Sequence, residues 1–217
     1  MASAWVEMTM SDHTNNEWIS IGDFMAGIVG VLVLFFVIAI LISATAKAEA
    51  EEKKKQGIQT IMNSLGDELK AAGAQGLELL PEKGVMRLKD TSFAKGSACL
   101  DDRLALLFQE QIAPIIIESM HKDPNLSLQI EGHTDAIPVS RGSANLIATC
   151  ALFDDNYTLS AGRAREARKA LLSKIEDPEL IKRVSVVGYG PDRLLNTSDP
   201  ASGDNRRVEV RLVFVGQ

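Results

Sequence analysis

The chain has 217 residues, of which 46% are hydrophobic and 24% are charged, and its formal net charge is −6. This acidic balance argues against a nucleic-acid-binding protein, because contact with phosphates requires a strongly basic face. The length allows one domain of ordinary size together with additional segments.

Residues 18–46 form an apolar run, and within it residues 24–46 carry no charge. A helix over those 23 positions would be roughly 34 Å long, which exceeds the thickness of about 30 Å of a hydrocarbon core. A secretory signal would have a positive n-region and a shorter apolar stretch, whereas residues 1–22 contain no Lys or Arg. The sequence therefore predicts a short cytoplasmic tail (residues 1–17) followed by an uncleaved transmembrane helix (residues 18–46).

The single charge in this run, Asp23, has two interpretations. An aspartate at the centre of a membrane helix costs roughly 2.5–3.5 kcal/mol on insertion scales, and less near an edge. If Trp18 lies at the interface, Asp23 is about 7 Å further along the helix, where its carboxylate could reach water and complement the helix dipole. Alternatively, Asp23 is a protonatable group that faces a partner or a water path.

The segment that follows, residues 47–76, is rich in Ala, Glu and Lys. Its apolar residues recur at helical spacing, which predicts a helical linker; they are Ile58, Ile61, Leu65 and Leu69. Gly57 and Gly66 disfavour a long stable coiled coil. The linker helix can pair with a copy of itself or lie on the following domain.

Residues 77–217 alternate between strand and helix patterns. Two short apolar runs flank a turn at Pro81–Gly84. We predict a helix over 102–120 with a bend at Pro114, a helix over 159–173 that Thr158 or Ser160 opens, and strands over 126–130, 184–187 and 208–215. This order indicates an α/β (α+β) sandwich, a mixed sheet with helices on one face.

Four segments of this domain occur in an order that is typical of one family. They are "IEGHTD" at 130–135, "NYTLSAGRA" at 156–164, "VVGYG" at 186–190 and "NRRVEV" at 205–210. Together they resemble the OmpA-like peptidoglycan-binding domain, and the resemblance covers roughly residues 77–217. It implies an OmpA-like fold and binding to the cell wall.

The resemblance also implies a site. In that family the aspartate of the "HTD" strand end binds the amine of diaminopimelate, and the arginine of "LSxxRA" binds its carboxylate, which correspond to Asp135 and Arg163. The chemistry is reasonable, because a zwitterion needs an anion and a cation close together, and arginine offers carboxylates two parallel donors. Further positions that match the family's site, or support it, are Asn156, Asn205, Arg206, Thr134 and Leu159.

The chain departs from the family between Asp135 and Asn156, where residues 136–155 make a longer connection than usual. This insertion could shield the pocket, change the ligand or contact a second subunit.

No metal site or cofactor is predicted. Cys99 and Cys150 match no metal spacing. They could be buried thiols or, in an oxidising periplasm, form a disulfide within or between chains. His133 and Asp135 alternate along a strand and could share one face, but no third ligand is obvious.

The whole chain resembles MotB-type stator subunits, because the sequence around Trp18, Asp23, Phe24 and Met25 is similar to their signature. The resemblance implies that the chain is not an enzyme and that Asp23 carries the transported ion, for which a single carboxylate favours H⁺. It implies a homodimer inside a pentameric ring of multi-pass MotA-like subunits in the bacterial inner membrane.

The resemblance also implies a cytoplasmic N-terminus and a periplasmic C-terminal domain. The positive-inside rule alone gives the opposite orientation, because basic residues follow the apolar run and none precedes it; they begin with Lys47, Lys53, Lys54 and Lys55. We give the wall-binding motifs more weight than this rule.

The short tail without basic residues, the compact linker and the insertion are closer to ZorB, the stator-like subunit of the Zorya anti-phage system, than to flagellar MotB. A ZorA-like partner would then form the ring. The alternatives are a flagellar MotB-like stator subunit, or a passive anchor that binds peptidoglycan without ion transport.

Overall fold

The computed structural model describes residues 3–74, 76–93, 97–139 and 153–215, with only the backbone for residues 3–17. The chain divides into two compact units, Met1–Lys53 and Lys54–Gln217.

The first helix, α1 (Ser3–Ala71), contributes residues to both units. From Trp18 onward it contains an apolar window with a mean hydropathy of 3.1, none of which is buried. Within the described residues, it is the one helix that is long and apolar enough to cross a membrane. Asp23 lies in this exposed part of α1.

The second unit contains a five-stranded mixed sheet. Its strands are β1 (Leu77–Leu80), β2 (Val85–Lys89), β3 (Leu126–His133), β4 (Val184–Gly188) and β5 (Arg207–Phe214). Their order across the sheet is β1-β2-β5-β3-β4. The β3–β4 pair is parallel, and the other pairs are antiparallel. The predicted α+β architecture with a mixed sheet is thus confirmed.

Four further helices are α2 (Asp102–Leu107), α3 (Ala113–Lys122), α4 (Asn156–Leu172) and α5 (Pro178–Lys182). A π-helical stretch, Phe108–Ile112, joins α2 to α3, in which Pro114 is the second residue. Proline has no N–H to donate and its ring crowds the preceding turn, which accounts for the change of helix type near the position where a bend was predicted.

The expected start of α4 was wrong. The helix is opened by Asp155, whose carboxylate accepts a hydrogen bond from the Thr158 backbone N–H at 2.7 Å. The Thr158 hydroxyl reciprocates by accepting from the Asp155 N–H at 3.1 Å. This capping box satisfies two N–H groups at the helix start. Its capping residue lies three positions upstream of Thr158, the earlier of the two predicted starts.

The hydrophobic core lies on one face of the sheet, and the second part of α1 belongs to it. Met62 and Leu65 are almost fully buried, in the same cluster as Met86 and Leu88 of β2. Of the two arrangements left open for the linker helix, the structure shows the one in which it lies on the following domain. The compact unit accordingly begins at Lys54, upstream of the strands.

Two glycines set how closely α4 approaches the sheet. A Cβ atom at Gly132 of β3 would collide with the backbone carbonyl of Ser160. A Cβ atom at Gly188 of β4 would lie 2.7 Å from the backbone nitrogen of Ala161. The first turns of α4 therefore pack directly on the strand backbones, at the edge where β3 and β4 end.

Truncating the part of α1 in this core should destabilise the second unit. We expect Leu65→Ala to lower the free energy of unfolding by about 2–5 kcal/mol, because it removes buried methyl groups and leaves a cavity. Asn63→Ala, on the exposed side of the same helix, should change it by less than about 0.5 kcal/mol. Urea denaturation of the full chain in detergent measures both, and equal effects would contradict the packing described.

Candidate ligand-binding site

Four charged side chains form a connected series at one edge of the sheet: Asp135, Arg206, Asp90 and Arg163. Arg206 Nη1 lies 2.6 Å from Asp135 Oδ2, and Arg206 Nε lies 2.9 Å from Asp90 Oδ2. Arg163 Nη1 lies 3.1 Å from the other oxygen of Asp90. The signs thus alternate along the series, which we call the charge series.

Sheet topology explains why residues so far apart in sequence meet. β2 and β3 both pair antiparallel with β5, so their carboxyl ends lie at the edge where β5 begins. Asp90 follows β2, Asp135 lies two residues beyond β3, and Arg206 directly precedes β5. Arg163 comes from α4, which the glycine contacts hold against the same edge.

Arg163 is the most enclosed member of the charge series, with 2% of its surface exposed. Its Nε donates to the Ser97 carbonyl at 3.0 Å, and its guanidinium stacks over Phe93 at 5.2 Å. Burial lowers the pKa of the Arg163 guanidinium, and the neighbouring Asp90 partly offsets this. Arginine remains charged even so. Its Nη1 lies 3.1 Å from Asp90 Oδ1, in an ion pair whose hydrogen-bond geometry is poor.

Asp135 is also enclosed, with 6% of its surface exposed. One carboxylate oxygen accepts from Arg206, and the other accepts from the Ile137 backbone N–H at 3.1 Å. The hydrogen bond to Asp135 raises the pKa of Arg206, and the ion pair with Asp90 adds to this effect. Burial acts in the opposite direction but is outweighed. The anion predicted from the strand-end motif therefore has a guanidinium partner within the chain.

Of the other predicted site residues, Asn156 contacts the backbone at Asp135, Thr134 directly precedes Asp135, and Leu159 lies one turn before Arg163 on α4. The Asn156 amide donates to the carbonyls of Asp135 and Ile137 at 3.2 and 3.0 Å, which holds the strand end in place. Thr134 is buried, and its hydroxyl has no hydrogen-bond partner among the described residues. Leu159 is buried in α4.

Asn205 does not face the charge series. It is fully buried, and its side-chain oxygen accepts from the N–H groups of Leu195 and Asn196, both at 2.8 Å. Its amide donates to carbonyls of the same loop, including that of Asp199 at 3.1 Å. Asn205 thus shapes the loop that precedes β5 and thereby positions Arg206.

Sequence reasoning missed Asp90, which joins the two arginines. The motif segments do not include it, because it lies at the end of a strand about 40 residues before the "HTD" motif. The available signal was topological: a carboxylate directly after β2 must lie at the same edge as one directly after β3, if both strands flank a common antiparallel partner.

The other face of the sheet carries a second group of charges. Arg87, Glu209 and Glu131 lie side by side on β2, β5 and β3. Burial acts to raise the pKa of the Glu131 carboxyl, but His133 and Arg211 outweigh it and lower that pKa to about 2. This polar network covers the face opposite the core.

Within the described residues, Glu131, His133 and Glu209 are the candidate metal ligands, with ligand atoms within 4.8 Å of one another. All four carboxylate oxygens, however, already accept hydrogen bonds from the guanidinium groups of Arg87, Arg207 and Arg211. A metal ion would have to compete with these cations, so the donor set suits ion pairs better than a metal.

Cys99 is disulfide-bonded. It lies two residues after Ser97, whose backbone carbonyl accepts the hydrogen bond from Arg163. Cys150 and most of the insertion lie in residues 140–152, outside the described part of the chain. The pairing of the two cysteines and the role of the insertion remain predictions.

Comparison with known proteins relates the fold to two solved structures. A MotB-like protein from Desulfovibrio vulgaris is 22% identical, with a TM-score of 0.56, and the match covers 76% of this chain and 99% of that one. The cell wall anchor of the T6SS from Pseudomonas aeruginosa is 24% identical, with a TM-score of 0.50, covering 72% and 97%. No protein-family model and no curated protein matches. At these identities the likeness establishes a shared fold.

The burial of His133 predicts that stability falls in mild acid. Burial lowers the pKa of the His133 imidazole below its ordinary value of 6.5. As pH drops below about 6.5, the unfolded chain therefore binds a proton that the folded chain resists, and the free energy of unfolding falls by up to about 1.4 kcal/mol per pH unit.

Urea denaturation of the full chain between pH 7.5 and 5 measures this slope, since carboxylates stay largely ionised in both states over that range. His133→Gln should flatten it, and the exposed His121→Gln should leave it unchanged. A slope that survives in His133→Gln would contradict the assignment.

Proposed function

We propose that the second unit binds peptidoglycan and anchors a membrane-spanning chain to the cell wall. The observation that carries the proposal is that an enclosed carboxylate, Asp135, and an enclosed guanidinium, Arg163, belong to one charge series at the same edge of the sheet. The free end of diaminopimelate carries an ammonium and a carboxylate, which are their natural counterparts. The cell wall anchor named among the structural neighbours has the same fold, which supports the proposal.

A wall-binding role defines the orientation we propose. Residues 18–46 cross the bacterial inner membrane once, residues 1–17 lie in the cytoplasm, and the second unit lies in the periplasm. The lysines after the helix oppose this orientation under the positive-inside rule, but that rule describes short loops better than folded domains. An oxidising periplasm also suits a disulfide at Cys99.

We further propose that the chain is the anchored subunit of an ion-driven rotary motor. Asp23 is the one charge within an exposed apolar span, and a carboxylate in an apolar environment is readily neutralised by a proton. A proton that crosses the membrane releases about 2.3 kcal/mol per 100 mV. Two copies of the chain would stand inside a ring of five MotA-like multi-pass subunits, with H⁺ as the transported ion.

The setting we propose is anti-phage defence of the Zorya type, with a ZorA-like ring, because the compact linker and the insertion at residues 136–155 depart from flagellar MotB. A flagellar stator subunit has the same motor chemistry. A passive envelope anchor, by contrast, needs the wall site and does not need Asp23.

The wall-binding site is tested by Asp135→Asn. Loss of the charge should weaken binding of the purified chain to isolated peptidoglycan by about tenfold or more, because it leaves the ligand's ammonium without its anion. The control is Asp67→Asn, an exposed carboxylate on α1. Retention of wild-type binding by Asp135→Asn, in a folded sample, would rule out this site.

The motor is tested by Asp23→Asn. We expect the variant to assemble with its multi-pass partner, as measured by co-purification, but to lose proton flux in vesicles and protection against phage. Asp23→Glu keeps the carboxyl group and should retain part of both activities. Full activity of Asp23→Asn would leave the passive anchor as the better description.

A further inference from the structure

We propose that the Asp90–Arg206 ion pair occupies the place of the ligand's zwitterion in the unliganded domain, and that the ligand displaces it. This inference rests on the proposed wall-binding function and concerns how the same site is kept closed and selective. Asp90 and Arg206 then act as competitors of the ligand rather than as its contacts.

The charge series supplies the first argument. Its order is Asp135, Arg206, Asp90 and Arg163, with successive contacts of 2.6, 2.9 and 3.1 Å. A ligand that carries one ammonium and one carboxylate can replace the two middle charges without changing the alternation. Asp135 and Arg163 then keep an opposite charge throughout, which matters because an unpaired buried charge is very unfavourable.

Accessibility supplies the second argument. The side chains of Asp135 and Arg163 are 8% and 3% exposed, whereas those of Asp90 and Arg206 are 34% and 33% exposed. A ligand that arrives from solvent therefore meets the middle pair first. With that pair in place, it cannot approach the enclosed carboxylate and guanidinium beneath.

A neighbouring cleft can accommodate the side chains of Asp90 and Arg206 once the ligand has displaced them. Asp90 and Arg206 also line this cleft of about 550 Å³, together with Lys89 and Asp204. Neither of the latter two has an ion-pair partner within the part of the chain that the structure describes. Lys89 is adjacent to Asp90 in sequence, and Asp204 precedes Arg206 by two residues, so the cleft offers each displaced side chain an opposite charge.

The geometry of the pair also defines the class of ligand. Arg206 Nε and Asp90 Oδ2 are in direct contact at 2.9 Å. The matching ligand therefore carries its ammonium and carboxylate side by side, as the α-amino-acid terminus of diaminopimelate does. An amine without a carboxylate, or an amidated terminus, replaces one charge only and should bind more weakly, because the exchange then leaves Arg163 without an anion.

The test is a double variant that removes the internal pair without changing the net charge, Asp90→Asn/Arg206→Gln. Calorimetry with diaminopimelate, on the full chain in detergent, should give a Kd about three- to fivefold lower than that of the wild type, the scale of a partly exposed ion pair. A merely structural role for the pair cannot produce a gain in affinity. The matched control is Glu110→Gln/Lys174→Gln, an exposed ion pair elsewhere in the unit, which should leave Kd unchanged.

A second variant keeps the proposal testable if the double variant unfolds. Arg206→Gln alone leaves Asp90 on Arg163 but frees Asp135, so affinity for the amine-only probe 1,5-diaminopentane should rise. An unchanged or higher Kd in these variants would overturn the exchange and make Arg206 a direct ligand contact. Absence of diaminopimelate binding by the wild type and all variants would instead overturn the proposed wall-binding function itself.

Discussion

The close contact between β3 and α4 at Gly132 determines where the charged groups of the domain can lie. Because this position has no side chain, the Ser160 carbonyl rests directly on the strand backbone, and Gly188 allows the same approach on β4. The start of α4 is thereby fixed at the edge where β3 ends. Arg163, one turn further along the helix, then reaches the neighbourhood of Asp135 without any long connecting segment.

The second unit buries several charged side chains on and beside its sheet. One face of the sheet is apolar and is covered in part by the end of α1, while the other carries the network of Arg87, Glu131 and Glu209. Each buried carboxylate there accepts from at least one guanidinium, so burial is offset by ion pairing rather than avoided. For the proposed anchor this has a mechanical consequence: load that enters the second unit near Lys54 would act on the core packing around Met62 and Leu65.

The parts of the fold predicted from sequence were those with a local periodic signal. Alternation along β3 and helical spacing in α4 located these elements, and the motif residues Asp135 and Arg163 are the two ends of the charge series. Asp90 escaped prediction because its role depends on strand order, which no local pattern encodes. The same applies to Asn205, whose motif position indicated a ligand contact while its side chain organises a loop, and to Asp155, whose capping role depended on a reciprocal contact with Thr158.

The proposed charge exchange bears on how an anchor can be both weak and selective. Every ion pair formed with the ligand replaces one that existed within the chain, so the net gain in binding free energy per site is small. A ligand that carries only one of the two charges is rejected, because it leaves a buried charge unpaired. Small affinity at one site suffices when two copies engage a polymer that repeats the same terminus, because the second contact forms at high effective concentration. Selectivity at each site, by contrast, cannot be supplied by multivalency. A site with modest affinity and high selectivity therefore suits the proposed wall-bound homodimer better than a single tight site would.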